Sequence, residues 1–257
     1  MSIASAQPKD RFDSTVGQYL QAQEQLLYDQ AVCDLFGFNA VQIGSLQMDL
    51  LSNSRIAHRY KVAAPSNACL TKPVLPPDLA CCDDFLPFAA MSVDLLLLPH
   101  RLEFSERPHQ TLREAARVMM PEGHLIISGF NPMSTWGVCA ALKKLFYKPL
   151  DYPWYGDFIA LNRLKDWLVL LGFEVVVVQS CCHVPPIENL AWHKRFAFMD
   201  KLARHGFSGG GGVYFVVAKK RVVGMMPIKP NWKQSAKANL LSVSPKTNTR
   251  QSKSREK

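Results

Sequence analysis

The sequence predicts an α/β protein whose mostly parallel sheet carries helices on both faces, and three observations support this. Val93 to Leu98 is an almost unbroken apolar run, the composition of a strand covered on both faces. From Asn39 to Ala218 strand-like and helix-like segments alternate, the order that builds a parallel sheet through right-handed crossovers. Glycine or proline marks the junctions, as at Gly37, Gly44, Pro121 and Gly172.

Taken in order, Tyr19 to Phe36 places Leu20, Leu27, Ala31 and Leu35 on one apolar stripe with Gln23, Glu24 and Gln25 between them, a helix that Gly37 ends. Asn39 to Gly44 reads as a strand and tight turn, and Leu46 to Leu51 as the start of a helix. Ile56 to Ala63 is a second strand, Pro65 to Pro77 a proline-rich loop, and Leu79 to Cys82 a third strand. After the central strand at Val93 to Leu98, Pro108 to Met120 is helical, with its proline in the first turn where the missing N–H costs nothing. Pro121-Glu122-Gly123 breaks that helix before a strand at His124 to Phe130. Phe158 to Leu171 is an amphipathic helix, Phe173 to Val178 a strand, Glu188 to His205 a helix, and Val213 to Ala218 the last strand. The long excursion before that last strand predicts an antiparallel member.

Length and composition are those of one globular domain: 257 residues, 48% hydrophobic and 20% charged. The net charge of +9 resides mainly in one place. Residues 225–257 hold eight basic residues against the single acid Glu256, so that stretch carries +7. The predicted organisation is a flexible N-terminus over 1–18, an α/β domain over 19–224 and a basic, disordered tail over 225–257. Residues 1–10 lack the basic and apolar blocks of a leader, and no run is long and apolar enough for a bilayer, so the reading is a cytoplasmic protein with no membrane span. Seven cysteines without CxxC spacing read as buried, reduced thiols, and no metal site is expected.

The most specific stretch runs from Asp83 to Gly129. It reads Asp-Asp-Phe-Leu-Pro-Phe, then Ser-Val-Asp-Leu-Leu-Leu-Leu-Pro-His-Arg-Leu-Glu-Phe, then a helix ending Arg117-Val118-Met119-Met120-Pro121-Glu122-Gly123 before His-Leu-Ile-Ile. This combination resembles the class I S-adenosylmethionine (SAM) dependent methyltransferases, in the branch of the ubiquinone and menaquinone C-methyltransferases. The resemblance implies a Rossmann-like class I methyltransferase fold with a seven-stranded sheet, SAM as cofactor, and a small or medium acceptor.

By position in the matched motifs, the resemblance puts Gln42, Gly44, Ser45, Asp83, Asp84, Pro99 and His100 on the cofactor side. Asn131 and Trp136, in the loop after the fifth strand, fall on the substrate side. Tyr147, Tyr152, Trp154 and Tyr155 would form an aromatic lid. His100 is read as able to accept or relay a proton, because its reference pKa lies near neutrality, and Glu103 as a surface or capping residue. No catalytic residue is singled out, since methyl transfer from a sulfonium needs mainly proximity and alignment.

The family's acid-x-Gly-x-Gly-x-Gly loop is eroded. Here Gln42-Ile43-Gly44-Ser45-Leu46-Gln47-Met48 keeps one glycine, and Leu46 and Met48 are expected to narrow the groove. The end of the second strand, Lys61-Val62-Ala63-Ala64, lacks the acid that would hold the ribose. These losses keep two further readings in play: a methyltransferase-fold scaffold without catalysis, and a nucleic-acid-associated protein that uses its basic tail as a salt-sensitive anchor.

Overall fold

The structure is a computed structural model that describes residues 15–63, 75–146, 156–186 and 210–221. The expected Glu188 to His205 helix, the aromatic lid, most of the Pro65 to Pro77 loop and the basic tail lie outside the described residues. The elements in chain order are α1 (Thr15–Val32), β1 (Asn39–Ile43), β2 (His58–Ala63), β3 (Leu79–Ala80), β4 (Val93–Pro99), α2 (Pro108–Val118), β5 (Met119–Phe130), α3 (Thr135–Phe146), α4 (Leu161–Leu170), β6 (Phe173–Cys181) and β7 (Val213–Lys220).

Seven strands form one sheet in the order β3-β2-β1-β4-β5-β7-β6. All neighbours are parallel except β7, which runs antiparallel to both β5 and β6. The order reverses between β1 and β4, which pair as Ala40 with Leu95 and Gln42 with Leu97. Chains leaving those two strands go to opposite sides, so a crevice opens at their carboxyl ends, where ligands bind in open α/β sheets.

Each face of the sheet has its own core, because alternate side chains of a strand point to opposite sides. One face packs Val41, Ile43, Leu96, Leu98, Leu125 and Ile127 against Leu112, Ala115 and Val118 of α2 and Leu164 and Leu168 of α4. The other packs Ala40, Leu95, Leu97, Ile126 and Phe215 against Tyr28 and Val32 of α1 and against Met48, Leu50, Leu51 and Ile56 of the β1–β2 connection. A third cluster at the β5–β7–β6 edge joins Phe130, Cys181, Cys182 and Val213 to Leu20 of α1 and to Trp136 and Ala140 of α3.

Several local expectations are corrected. Residues 44–57 form turns, with no helix over Leu46 to Leu51. Pro121-Glu122-Gly123 does not separate helix from strand: β5 begins at Met119, and the break becomes an irregularity where the pairing jumps from Val93–Met119 to Leu95–His124. Glu122, in place of a family glycine, takes φ 64, and its carboxylate lies 2.7 Å from Lys219 and 2.5 Å from Arg221. The reading of buried thiols holds for Cys181 and Cys182, whereas Cys82 is exposed. Helix α3 has no counterpart in the sequence reading. Among the described residues no helix is long and apolar enough to cross a membrane.

Leu97 is fully buried in the α1-side core. Replacing it by alanine is expected to lower unfolding stability by about 2–5 kcal/mol through lost burial and a residual cavity. Urea denaturation of the two proteins measures this, and a loss below about 1 kcal/mol would contradict the packing described.

Candidate functional site

The first wall of the crevice is the turn after β1. Gln42 is wholly buried, and its side-chain amide donates to the carbonyls of Gly44 at 3.2 Å, Ser45 at 3.2 Å and Met48 at 3.0 Å. Its Oε1 accepts from the Leu50 N–H at 3.2 Å. One side chain therefore satisfies backbone groups that a helix would have paired among themselves. Met48 turns into the α1-side core, so the expectation that it narrows the groove is corrected. Gln42 itself is also internal, and it positions the turn instead of facing a ligand.

Gly44 and Ser45 both lie at positive φ, 79° and 48°. For Gly44 this is free of steric cost; for Ser45 it is a strained conformation, held by burial and by a contact of Oγ with the Pro99 carbonyl at 3.5 Å. His100, at the end of β4, is strained in the same sense with φ 49. The carboxyl ends of β1 and β4 thus share sparsely populated backbone at one place.

Between them lies Arg101, which the motif analysis does not single out. Its Cδ sits 3.4 Å from where a Cβ on Gly44 would be, and its Nε donates to the Asp83 carboxylate. Both residues are buried. One arginine side chain therefore bridges the β1 turn and the loop after β3. The other Asp83 oxygen, Oδ1, is buried with no hydrogen-bond partner among the described residues. Burial pushes the Asp83 carboxyl above its ordinary range, and the Arg101 charge opposes that only in part. Asp84 is half-buried beside it.

The His100 ring is not at the mouth. Its Nε2 is 2.7 Å from Glu24 of α1 and its Nδ1 3.0 Å from Glu103. The ring is stacked on Phe130 at 4.2 Å between centroids. Burial works against the charged ring, but the two carboxylates outweigh it and hold His100 at about 9. With both nitrogens committed and no exposure, His100 is an internal cation that ties α1 to the end of β4; the expectation that it relays protons is corrected.

Glu103, expected at the surface, is 4% exposed and also accepts from the Phe130 N–H. With Leu20 and Tyr28, Glu24 falls at spacings of four on the buried stripe of α1, the signal in the sequence that marks it as internal. Tyr28 continues the network through a 3.2 Å bond from its hydroxyl to Ser128 Oγ.

On the substrate side the structure separates the two candidates. Asn131 is half-buried, donates to the Gly211 carbonyl at 3.2 Å and accepts from the Met133 N–H at 3.0 Å. Trp136 is wholly buried, stacks on Phe130 and donates to the Val184 carbonyl at 3.0 Å. It is core, which corrects its placement against a substrate. Close by, a cavity of about 380 Å³ lies at the carboxyl ends of β4 and β5 on the α4 side, lined in part by Leu102, His109, Pro132, Phe158, Arg163 and Trp167.

The His100 cluster makes stability pH-dependent with a defined sign. The folded pKa is raised from 6.5 to about 9, so the contribution is fully present below pH 6.5 and is lost as pH climbs through about 9, an effect of roughly 3 kcal/mol. Denaturant midpoints taken across that interval should fall. A flat or rising profile there would exclude a buried imidazolium.

A family model described as "Methyltransferase domain" matches residues 57–127. The chain is 33% identical over 193 residues to Escherichia coli (strain K12) YafS, a protein of uncharacterised function, covering 74% of this chain and 71% of that one. Among solved structures, a SAM-dependent methyltransferase from Thermotoga maritima superposes with a TM-score of 0.52 at 22% identity, covering 77% of this chain and 89% of that one. One from Archaeoglobus fulgidus gives 0.51 at 16%, covering 77% and 93%. The [4+2]-cyclase SpnF gives 0.53 at 14%, covering 86% and 88%. The chain therefore belongs to the same family as YafS, carries a match to a methyltransferase domain over residues 57–127, and has the fold of the SAM-dependent methyltransferases.

Proposed function

We propose that the chain transfers a methyl group from SAM to a small or medium acceptor, with the cofactor's amino-acid end held between the β1 turn and the loop after β3. The observation that carries this reading is the Arg101–Asp83 pair lying over Gly44 at the sheet's reversal point. A cofactor entering there exchanges one internal ion pair for two: its carboxylate takes the Arg101 guanidinium and its ammonium takes Asp83. The orphaned Asp83 Oδ1 fits a group with several N–H donors. Bound SAM supplies an electrophilic methyl on a sulfonium.

The remaining work is orientation. The turn built by Gln42 presents the main chain of Gly44 and Ser45, Pro99 closes the β4 side, and Asp84 stands beside the adenosyl end. The cavity behind Leu102 is of a size suited to a small acceptor, and Pro132, the residue after Asn131, lines it. In-line alignment between cofactor and acceptor then lowers the barrier without a dedicated acid or base. The motif at residues 117–123 supports placing the chain near the ubiquinone and menaquinone C-methyltransferases. The missing carboxylate at the end of β2 sustains the scaffold reading, in which the same crevice binds without turnover.

Calorimetric titration of SAM and S-adenosylhomocysteine tests the reading. Saturable binding is expected, and none at millimolar ligand would overturn it. Gly44→Val should abolish binding, because a branched side chain at φ 79 is strained and its added methyls meet Arg101. Arg101→Gln should reduce the preference for S-adenosylhomocysteine over 5′-methylthioadenosine, which lacks the amino-acid end, by about tenfold or more. An unchanged preference would free Arg101 of that role.

A further inference from the structure

Helix α3 is apolar on both sides: it packs Trp136 and Ala140 into the core, and its outer side is apolar too. Val138, Leu142, Leu145 and Phe146, at spacings of four, three and one, are 57%, 51%, 74% and 71% exposed. They form one arc of the helix with Ala141, which is also exposed. The helix's two charged residues, Lys143 and Lys144, lie off that arc and are half-buried. Lys144 reaches along the surface to the Gly156 carbonyl at 2.9 Å and to the exposed Asp157 at 3.1 Å. Met133, just before the helix, is 85% exposed. A continuous apolar face of this kind, carrying no charge of its own, marks an interaction surface.

We infer that α3 docks this protein on an anionic lipid bilayer. Charge selects the occupant. A second copy of the chain would bring another +9 against the first, and like net charge opposes self-association. The same +9 is attracted to an anionic leaflet. The helix itself carries two lysines and no acid, the composition of a helix lying in the headgroup plane with its apolar side in the acyl region. Apart from Thr135 at its start, the arc also offers no side-chain hydrogen-bonding group, as suits hydrocarbon better than the polar rim of a protein interface.

A single short apolar face gives weak, reversible attachment, and stable attachment takes a second, electrostatic signal. The sequence holds one in residues 225–257, with eight basic residues against one acid. Apolar insertion through α3 and electrostatic attraction of the basic residues together account for two features that methyl transfer leaves unused.

Co-sedimentation of the full chain with vesicles of phosphatidylcholine, with and without phosphatidylglycerol, tests the inference. Binding is expected with phosphatidylglycerol and about tenfold less without it. Leu145→Glu/Phe146→Glu should remove at least about nine-tenths of the bound protein. Both side chains are exposed, so the fold should persist; Leu145→Gln/Phe146→Gln repeats the test with uncharged groups. Wild-type protein left in the supernatant, or either double variant bound undiminished, would overturn the inference. So would a vesicle-free dimer that the double variants dissociate, since the face would then belong to a second copy.

Discussion

One buried amide takes the place of a helix in this protein. Gln42 gives its two N–H groups to three carbonyls and its oxygen to the Leu50 N–H, and the β1–β2 connection can therefore be turns instead of helix. That connection feeds Met48, Leu50, Leu51 and Ile56 into the core under α1. An apolar residue at position 42 would take this partner from the Gly44 and Met48 carbonyls and the Leu50 N–H, while the Ser45 carbonyl would keep its bond from the Met48 N–H; each buried group left unpaired costs on the order of 1–3 kcal/mol. Gln42 thus helps hold Gly44 and Ser45 against the end of β4, together with the bond from the Gly44 N–H to the Val62 carbonyl and the contact of Ser45 Oγ with the Pro99 carbonyl.

The opposite wall is held by charge. Glu24, His100 and Glu103 form a buried cluster that fastens α1 to the end of β4. Arg101, the next residue, is thereby directed across the crevice to Asp83. Buried ion pairs are weak sources of stability, because desolvation offsets most of their attraction. In the proposed function, Arg101–Asp83 is the pair that exchanges its partners for a ligand's charges. The fold alone would not decide this, since SpnF, a [4+2]-cyclase, shares it.

The sheet was legible in the sequence where strands are buried on both faces. Val93 to Leu98 and His124 to Phe130 are mostly apolar runs of the kind found in strands covered on both faces. The β1–β2 connection was misread because Leu46, Leu50 and Leu51 mimic a helical stripe, while the decisive residue, Gln42, lies upstream of it. Helix α3 shows no amphipathic stripe, because Trp136 and Ala140 face the core while Val138, Leu142, Leu145 and Phe146 face outward. Glu103 reads as a surface or capping residue, and Glu24 as a polar residue between apolar positions, because a single sequence does not show that each has His100 as a partner. Trp136 looked like a binding residue from its place in a polar loop; only the contact with Phe130 and the bond to Val184 reveal it as core.

Amide hydrogen exchange of the intact chain, with and without saturating S-adenosylhomocysteine, probes the central claim at the residues that embody it. The account predicts slowed exchange confined to three segments, around Gly44 and Ser45, around Asp83 and Asp84, and around His100 and Arg101. Protection elsewhere in the chain, with these three segments unchanged, would contradict it.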